Sequence, residues 1–119
     1  MKFEVKTPPR IFEVGAHNET TIADCAELDL EPNEQVTFKT ASGAEYDVTR
    51  KEWGYYATPS TNGRLKRFGS RTALVKNPRE QYFGFLMESG KQAEFDAYLK
   101  DQGLSVVKWL DDEKELATL

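Results

Sequence analysis

The chain has very little of the chemistry that most readily betrays an enzyme. One cysteine, Cys25, and one histidine, His17, occur in 119 residues, so an intrachain disulfide is excluded and a four-ligand Cys/His zinc site has too few donors. No apolar run exceeds three residues, as in Phe85-Leu86-Met87. No segment therefore reads as a membrane-spanning helix, and no apolar stretch follows Met1 in the manner of a secretory leader; the cytoplasm is the expected location. The Walker loop, GxGxxG, HExxH, GxSxG and CxxC are all absent, which removes the common sequence signatures of nucleotide, zinc-hydrolase, serine-hydrolase and dithiol chemistry. No cofactor or structural metal is expected. Internal repeats and low-complexity tracts are missing too.

Positive charge is scarce everywhere but in one stretch. From Trp53 through Arg79 there are six bases and no acid, whereas the remainder holds ten bases against twenty acids, for a net charge of −4. An acidic chain with one basic island does not suit general DNA binding, which needs a basic face matched to a phosphate ladder. It does suit a local site for a small anion, because only there would an approaching negative group meet no competing carboxylate.

Hydrophobic residues at 39% and aromatics at 12% support one packed domain spanning residues 1–119. Short strands are predicted at Phe3 to Val5 and Ile11 to Val14, broken by Pro8-Pro9, whose missing amide hydrogens interrupt a ladder. Ile22, Ala26, Leu28 and Leu30 recur at period two, predicting a half-buried strand from Thr21 to Leu30. Asp24 falls in the same register as that apolar set, so it requires a donor, a bulge or an edge position. Gln35 to Thr40 and Ala44 to Arg50 alternate cleanly across Ala41-Ser42-Gly43 and read as a hairpin. Trp53 to Ala57 is a further short strand ended by Pro59, and Ser60 to Ser70 is a polar loop.

Thr72 to Lys76 and Gln81 to Glu88 predict a second hairpin across Asn77-Pro78-Arg79-Glu80. The second of these strands, apolar on both sides, is expected at the centre of its sheet. Ser89 with Gln92 resembles a capping box opening a helix from about Gly90 to Gln102, which Phe95, Tyr98 and Leu99 would pack and Gly103 would end. Leu104 to Leu110 is a final strand, joined either through a parallel crossover or by a helix lying over an antiparallel sheet. Asp111-Asp112-Glu113 is placed to start a short terminal helix. The expected fold is therefore α+β: a mainly antiparallel, curved, barrel-like sheet with one C-terminal helix followed by a final strand.

Within the island, Arg64, Lys66, Arg67 and Arg71 lie close together, with Ser60 and Asn62 as further donors. A guanidinium grips two oxygens of a phosphate or carboxylate at once. Tyr55 and Tyr56, beside Trp53, add aromatic faces suited to a sugar, a base or a partner's anchor. The plainer alternative is that the bases solvate a loop and the aromatics belong to the core; alternation places roughly two of the three aromatics inside. No catalytic set is assigned. Cys25 falls within a strand, where a lone thiol acts as a small buried hydrophobe, and His17 sits in a polar turn without a partner.

The run from Glu34-Gln35-Val36-Thr37-Phe38 to Tyr46-Asp47-Val48, with Trp53-Gly54-Tyr55-Tyr56-Ala57, Thr72-Ala73-Leu74-Val75-Lys76-Asn77 and Trp109-Leu110-Asp111, resembles short uncharacterised bacterial proteins of surface-polysaccharide biosynthesis regions. That resemblance implies a sugar nucleotide, a phosphorylated glycan intermediate or a partner enzyme's acidic surface as the anion, and it carries no site residues. The leading expectation is a non-catalytic accessory module that binds an anionic ligand through Tyr55, Tyr56, Ser60, Asn62, Arg64, Lys66, Arg67 and Arg71. Two alternatives stand beside it: a protein-interaction subunit or homodimer using the aromatic strand and a sheet edge, and a small enzyme.

Overall fold

The computed structural model describes all 119 residues. Eight strands and three short helices follow one another: β1 (Lys2–Val14), β2 (Thr20–Asp29), β3 (Gln35–Lys39), β4 (Glu45–Lys51), β5 (Gly54–Ala57), α1 (Arg64–Arg67), β6 (Ser70–Lys76), β7 (Tyr82–Glu88), α2 (Gln92–Gln102), β8 (Ser105–Trp109) and α3 (Glu113–Leu116). With 49% strand and 16% helix, all pairing antiparallel, the chain is α+β. It is not barrel-like. Three separate sheets, β1-β2, β3-β4-β5 and β7-β6-β8, replace the single curved sheet expected from the pattern. Closure requires long ladders at every seam, and β5, four residues long and followed by buried Pro59, offers none.

The third sheet holds the core. Ala73 and Val75 on β6 are fully enclosed and meet Leu99 of α2, with Phe85, Phe95 and Trp109 packed around them. β7 and β8 both run antiparallel to β6 and flank it. α2 thus carries the chain across β6, a crossover that skips one strand while every hydrogen-bonded pair stays antiparallel. β6 is central and β7 is an edge, the reverse of the expectation for β7. Only one face of β7 is covered, which leaves Tyr82 and Leu86 exposed on the other.

Helix α2 ends as Gly103 predicts, with φ 68°, its N–H donating to the Lys100 carbonyl and the Leu104 N–H to the Leu99 carbonyl, a left-handed stop that a Cβ would strain. Its start differs from a capping box. The turn closed by the Lys91 amide on the Glu88 carbonyl delays the helix, Lys91 is the cap without a side-chain bond, and Gln92 instead donates to Asp96 at 2.9 Å. At the C-terminus Asp112 does cap α3, its carboxylate accepting from the Lys114 and Glu115 amides.

The Thr72 hydroxyl is buried on β6 with no hydrogen-bond partner. An unmade bond at a buried donor costs its desolvation, so Thr72→Val, which keeps the shape, is expected to leave stability unchanged or raise it by up to about 1 kcal/mol in urea melts. A clear loss would mean that the hydroxyl is bonded in solution.

The first sheet is a ribbon of another kind. β1 is continuous through Pro8-Pro9, but its ladder breaks between Val5 and Arg10, where four β1 residues oppose Cys25 alone. Not one residue of β1 or β2 is buried. The ribbon is tied to the body at its tip, where the Gln102 side chain accepts from the Ala16 amide at 2.6 Å and donates to Glu19. That contact, after donation from its own amide, holds the Glu19 carboxyl below the usual carboxylate range.

Candidate functional site

The loop after β5 folds because Ser60 serves it repeatedly. The Ser60 carbonyl accepts from the Gly63 and Leu65 amides and its hydroxyl from the Arg64 amide at 3.2 Å. Glycine suits position 63, since a Cβ there would lie 2.5 Å from that hydroxyl and push it off the Arg64 amide. The outcome is α1, a helical turn within what reads as a polar loop, pinned by Leu65 at 1% exposure. The adjoining residues bridge two sheets: the Phe68 carbonyl accepts from Glu45 and the Gly69 carbonyl from Ser89.

This turn sends the island's bases in different directions. Arg64 leans over the Phe68 ring, with its guanidinium 3.8 Å from the buried Asp47 carboxylate, too far for a hydrogen bond but close enough to act as that acid's counter-charge. Lys66 and Arg71 face a shallow depression of about 430 Å³ that they share with Lys114, Asp111, Asp112 and Glu113, three bases against three acids. Arg67 projects into solvent, and Asn62 is exposed.

Arg71 is committed to the fold. Its Nε donates to Asp111 at 2.7 Å and an Nη at 3.2 Å, while its guanidinium lies 3.9 Å above the Trp109 ring. Asp111 is 1% exposed. Donation to Asp111, which outweighs the opposing effect of partial burial, raises the Arg71 pKa above its ordinary value. The register explains the pairing: Ala73 opposes Trp109, and the same ladder carried outward brings Arg71 opposite Asp111.

The aromatics depart from the expectation that two of three are interior. Trp53 sits at the two-residue turn between β4 and β5 and is 72% exposed; Tyr55 and Tyr56 are exposed as well. β5 is an edge strand, and alternation turns Tyr55 and Tyr56 to opposite faces, where both stay exposed. Trp53 and Tyr56 keep company, ring centres 6.1 Å apart. Cys25 is likewise exposed rather than buried, its thiol donating to the Ala23 carbonyl. His17 occupies the ribbon's turn, as expected. No group of three or more His, Cys, Asp or Glu side chains is arranged to hold a metal ion.

Two features went unread in the sequence. One is an open cleft of about 670 Å³ between the ribbon tip, the β6–β7 turn and α2, walled by Phe83, Phe85 and Tyr98. Those rings follow strand and helix periodicity and so pass for core. The other is the apolar side of the ribbon. Asp24, singled out as needing donors, marks it: Lys6 donates at 2.6 Å and Arg10 lies at 3.1 Å. Those bases, Lys6 foremost, hold the Asp24 carboxyl below its usual range.

Comparison with protein-family models, curated proteins and solved structures finds no match to this chain.

Proposed function

We propose that this chain is a non-catalytic interaction subunit, which works by burying its uncovered aromatic and apolar surface against another protein. One observation carries the reading. A folded monomer of 13.6 kDa has an accessible surface of roughly 6,600 Å², and this chain has 8439 Å². The radius of gyration agrees, 16.0 Å where about 13.5 Å is ordinary for this length. The extra surface is not polar decoration: twelve residues are buried while seventeen large apolar ones stay exposed. Where such residues adjoin, as the Trp53 and Tyr56 rings do at 6.1 Å, they make the kind of patch that marks a contact surface.

The anion-binding alternative has less beneath it. Arg71 is spent on Asp111 and Arg64 answers Asp47, while Lys66 and Arg67 make no ion pair and Lys66 shares its depression with three carboxylates.

At a dilution that keeps it monomeric, the chain is expected to melt cooperatively and yet bind an apolar fluorescent dye. Trp53→Ser combined with Tyr56→Ser is expected to lower that signal without lowering the melting temperature. Cooperative melting separates open native surface from a loosened core, which takes up dye without it. A cooperatively folded chain that binds no dye overturns the reading.

A further inference from the structure

The ribbon pairs its strands so that Phe3 opposes Leu28, Val5 opposes Ala26, Arg10 opposes Asp24, Phe12 opposes Ile22 and Val14 opposes Thr20. Opposed residues of an antiparallel pair share a face. Between Val5 and Arg10 β1 has four residues where a regular ladder would have one, and this odd surplus of three resets the alternation and brings Phe12 and Val14 to the side of Phe3 and Val5. All five rungs therefore lie on one face. Phe3, Val5, Phe12, Ile22 and Leu28 are 36–60% exposed there, leaving roughly 400 Å² of apolar surface open at one to two hundred Å² per large side chain. One side of a standard interface buries about 800 Å², of which about 450–500 Å² is apolar. The face thus matches one side of such an interface. A two-stranded ribbon by itself is marginal in water, yet 13 and 10 residues are invested in this one.

The composition of the rungs identifies the occupant. In each, β1 supplies the larger or the basic member and β2 the smaller or the acidic one. A two-fold axis parallel to the ribbon's length, lying between two stacked ribbons, preserves the level of each rung and exchanges left for right. Phe3 then lies over the second copy's Leu28, Val5 over Ala26, Phe12 over Ile22, and Arg10 over Asp24. Bulky side chains meet smaller ones, and the charged rung, nearest the midpoint, meets its complement. An axis along the rungs would instead set Arg10 on Arg10 and Asp24 on Asp24. The exchange leaves no charge stranded, since Arg10 is 69% exposed and free to swing across while Lys6 keeps its hold on Asp24.

We infer that the β1–β2 ribbon is the interface of an isologous homodimer, two ribbons stacked face to face about an axis along their length and keyed by Arg10 against the second copy's Asp24. This rests on the interaction-subunit reading above and names its partner as a second copy of the chain.

Sedimentation equilibrium with charge-reversed variants tests it. Arg10→Asp makes the central rung wholly negative and Asp24→Arg makes it wholly positive, so each variant alone is expected to self-associate at least tenfold more weakly than the wild type. Mixed in equal amounts, the two variants lay a negative rung over a positive one, an acid facing a base at both positions, and a mixed dimer within about tenfold of wild-type affinity is expected. Two misfolded variants would not rescue each other. Phe3→Ser, outside the charged rung, is expected to weaken the dimer at least tenfold with an unchanged melt. The inference is overturned by a wild type that stays monomeric at roughly 100 µM, weaker than specific dimers of this size. Variants that each dimerise like the wild type, or a mixture of folded variants that fails to pair, overturn it equally. A monomer that still binds the apolar dye removes this inference alone, whereas one that binds none removes the interaction reading with it.

Discussion

Asp111→Ala is expected to cost about 3 kcal/mol, which for a chain of this length lowers the melting temperature by roughly 12 °C. The carboxylate is buried and accepts two hydrogen bonds from Arg71, whose guanidinium also lies 3.9 Å over the Trp109 ring. Removing the acid leaves a cation against an aromatic face with only the more distant Asp112 and Glu115 as counter-charges, and a void where a carboxylate stood. Losing one partner of a buried pair typically costs 3–5 kcal/mol. The lower end applies because the Arg71 side chain is 33% exposed and can recover some hydration. Asp111→Asn, which keeps the volume and one acceptor, is expected to lose about half as much. Because the pair is sheltered, the deficit should persist in molar salt, where an exposed bridge would already be silent. A loss below about 1 kcal/mol would place the pair among surface bridges.

The same pair shows why the candidate site was only partly legible. The hairpin of β3 and β4, the β6–β7 hairpin, α2 and its Gly103 stop all follow from local periodicity and turn chemistry, and they are where the pattern puts them. What local pattern does not carry is pairing between segments distant in the chain. Arg71 and Asp111 are forty residues apart and meet only because β8 returns beside β6, so Arg71 reads as a free loop base when it is a structural ion. β7 misleads for a related reason: apolar residues on both faces suggest a central strand, but one of those faces is surface. In the ribbon, simple alternation groups Phe3 and Val5 with Ile11, and only the odd count across the bulge at Pro8-Pro9 moves Phe12 to their side. Asp24 was the readable clue. A carboxylate among apolar positions must be answered, and Lys6 and Arg10 answer it.

Leu65→Ala is expected to act on the loop that bears the island. A four-residue helix cannot sustain itself, since nucleation outweighs the few bonds it makes, and α1 has no side-chain N-cap at Gly63. Its stability comes from one leucine, 1% exposed, and from the carbonyls of Phe68 and Gly69 that bond the two neighbouring sheets. Truncation of a buried leucine costs about 2–5 kcal/mol, here about 3 kcal/mol since the site lies between sheets that cannot easily collapse onto it. Part of that loss will appear as local opening, because the core around Ala73 and Val75 does not include Leu65. Arg64, Lys66 and Arg67 make the opening measurable: trypsin cuts after bases and needs an extended chain, so cleavage there should speed up by about a hundredfold, the population factor for 3 kcal/mol. If cleavage rises in step with global unfolding, α1 and the sheets melt as one unit. If it rises well beyond global unfolding, the island is a separable flap, and Arg67 is presented by a segment that the Ser60 hydrogen bonds do not hold closed without Leu65.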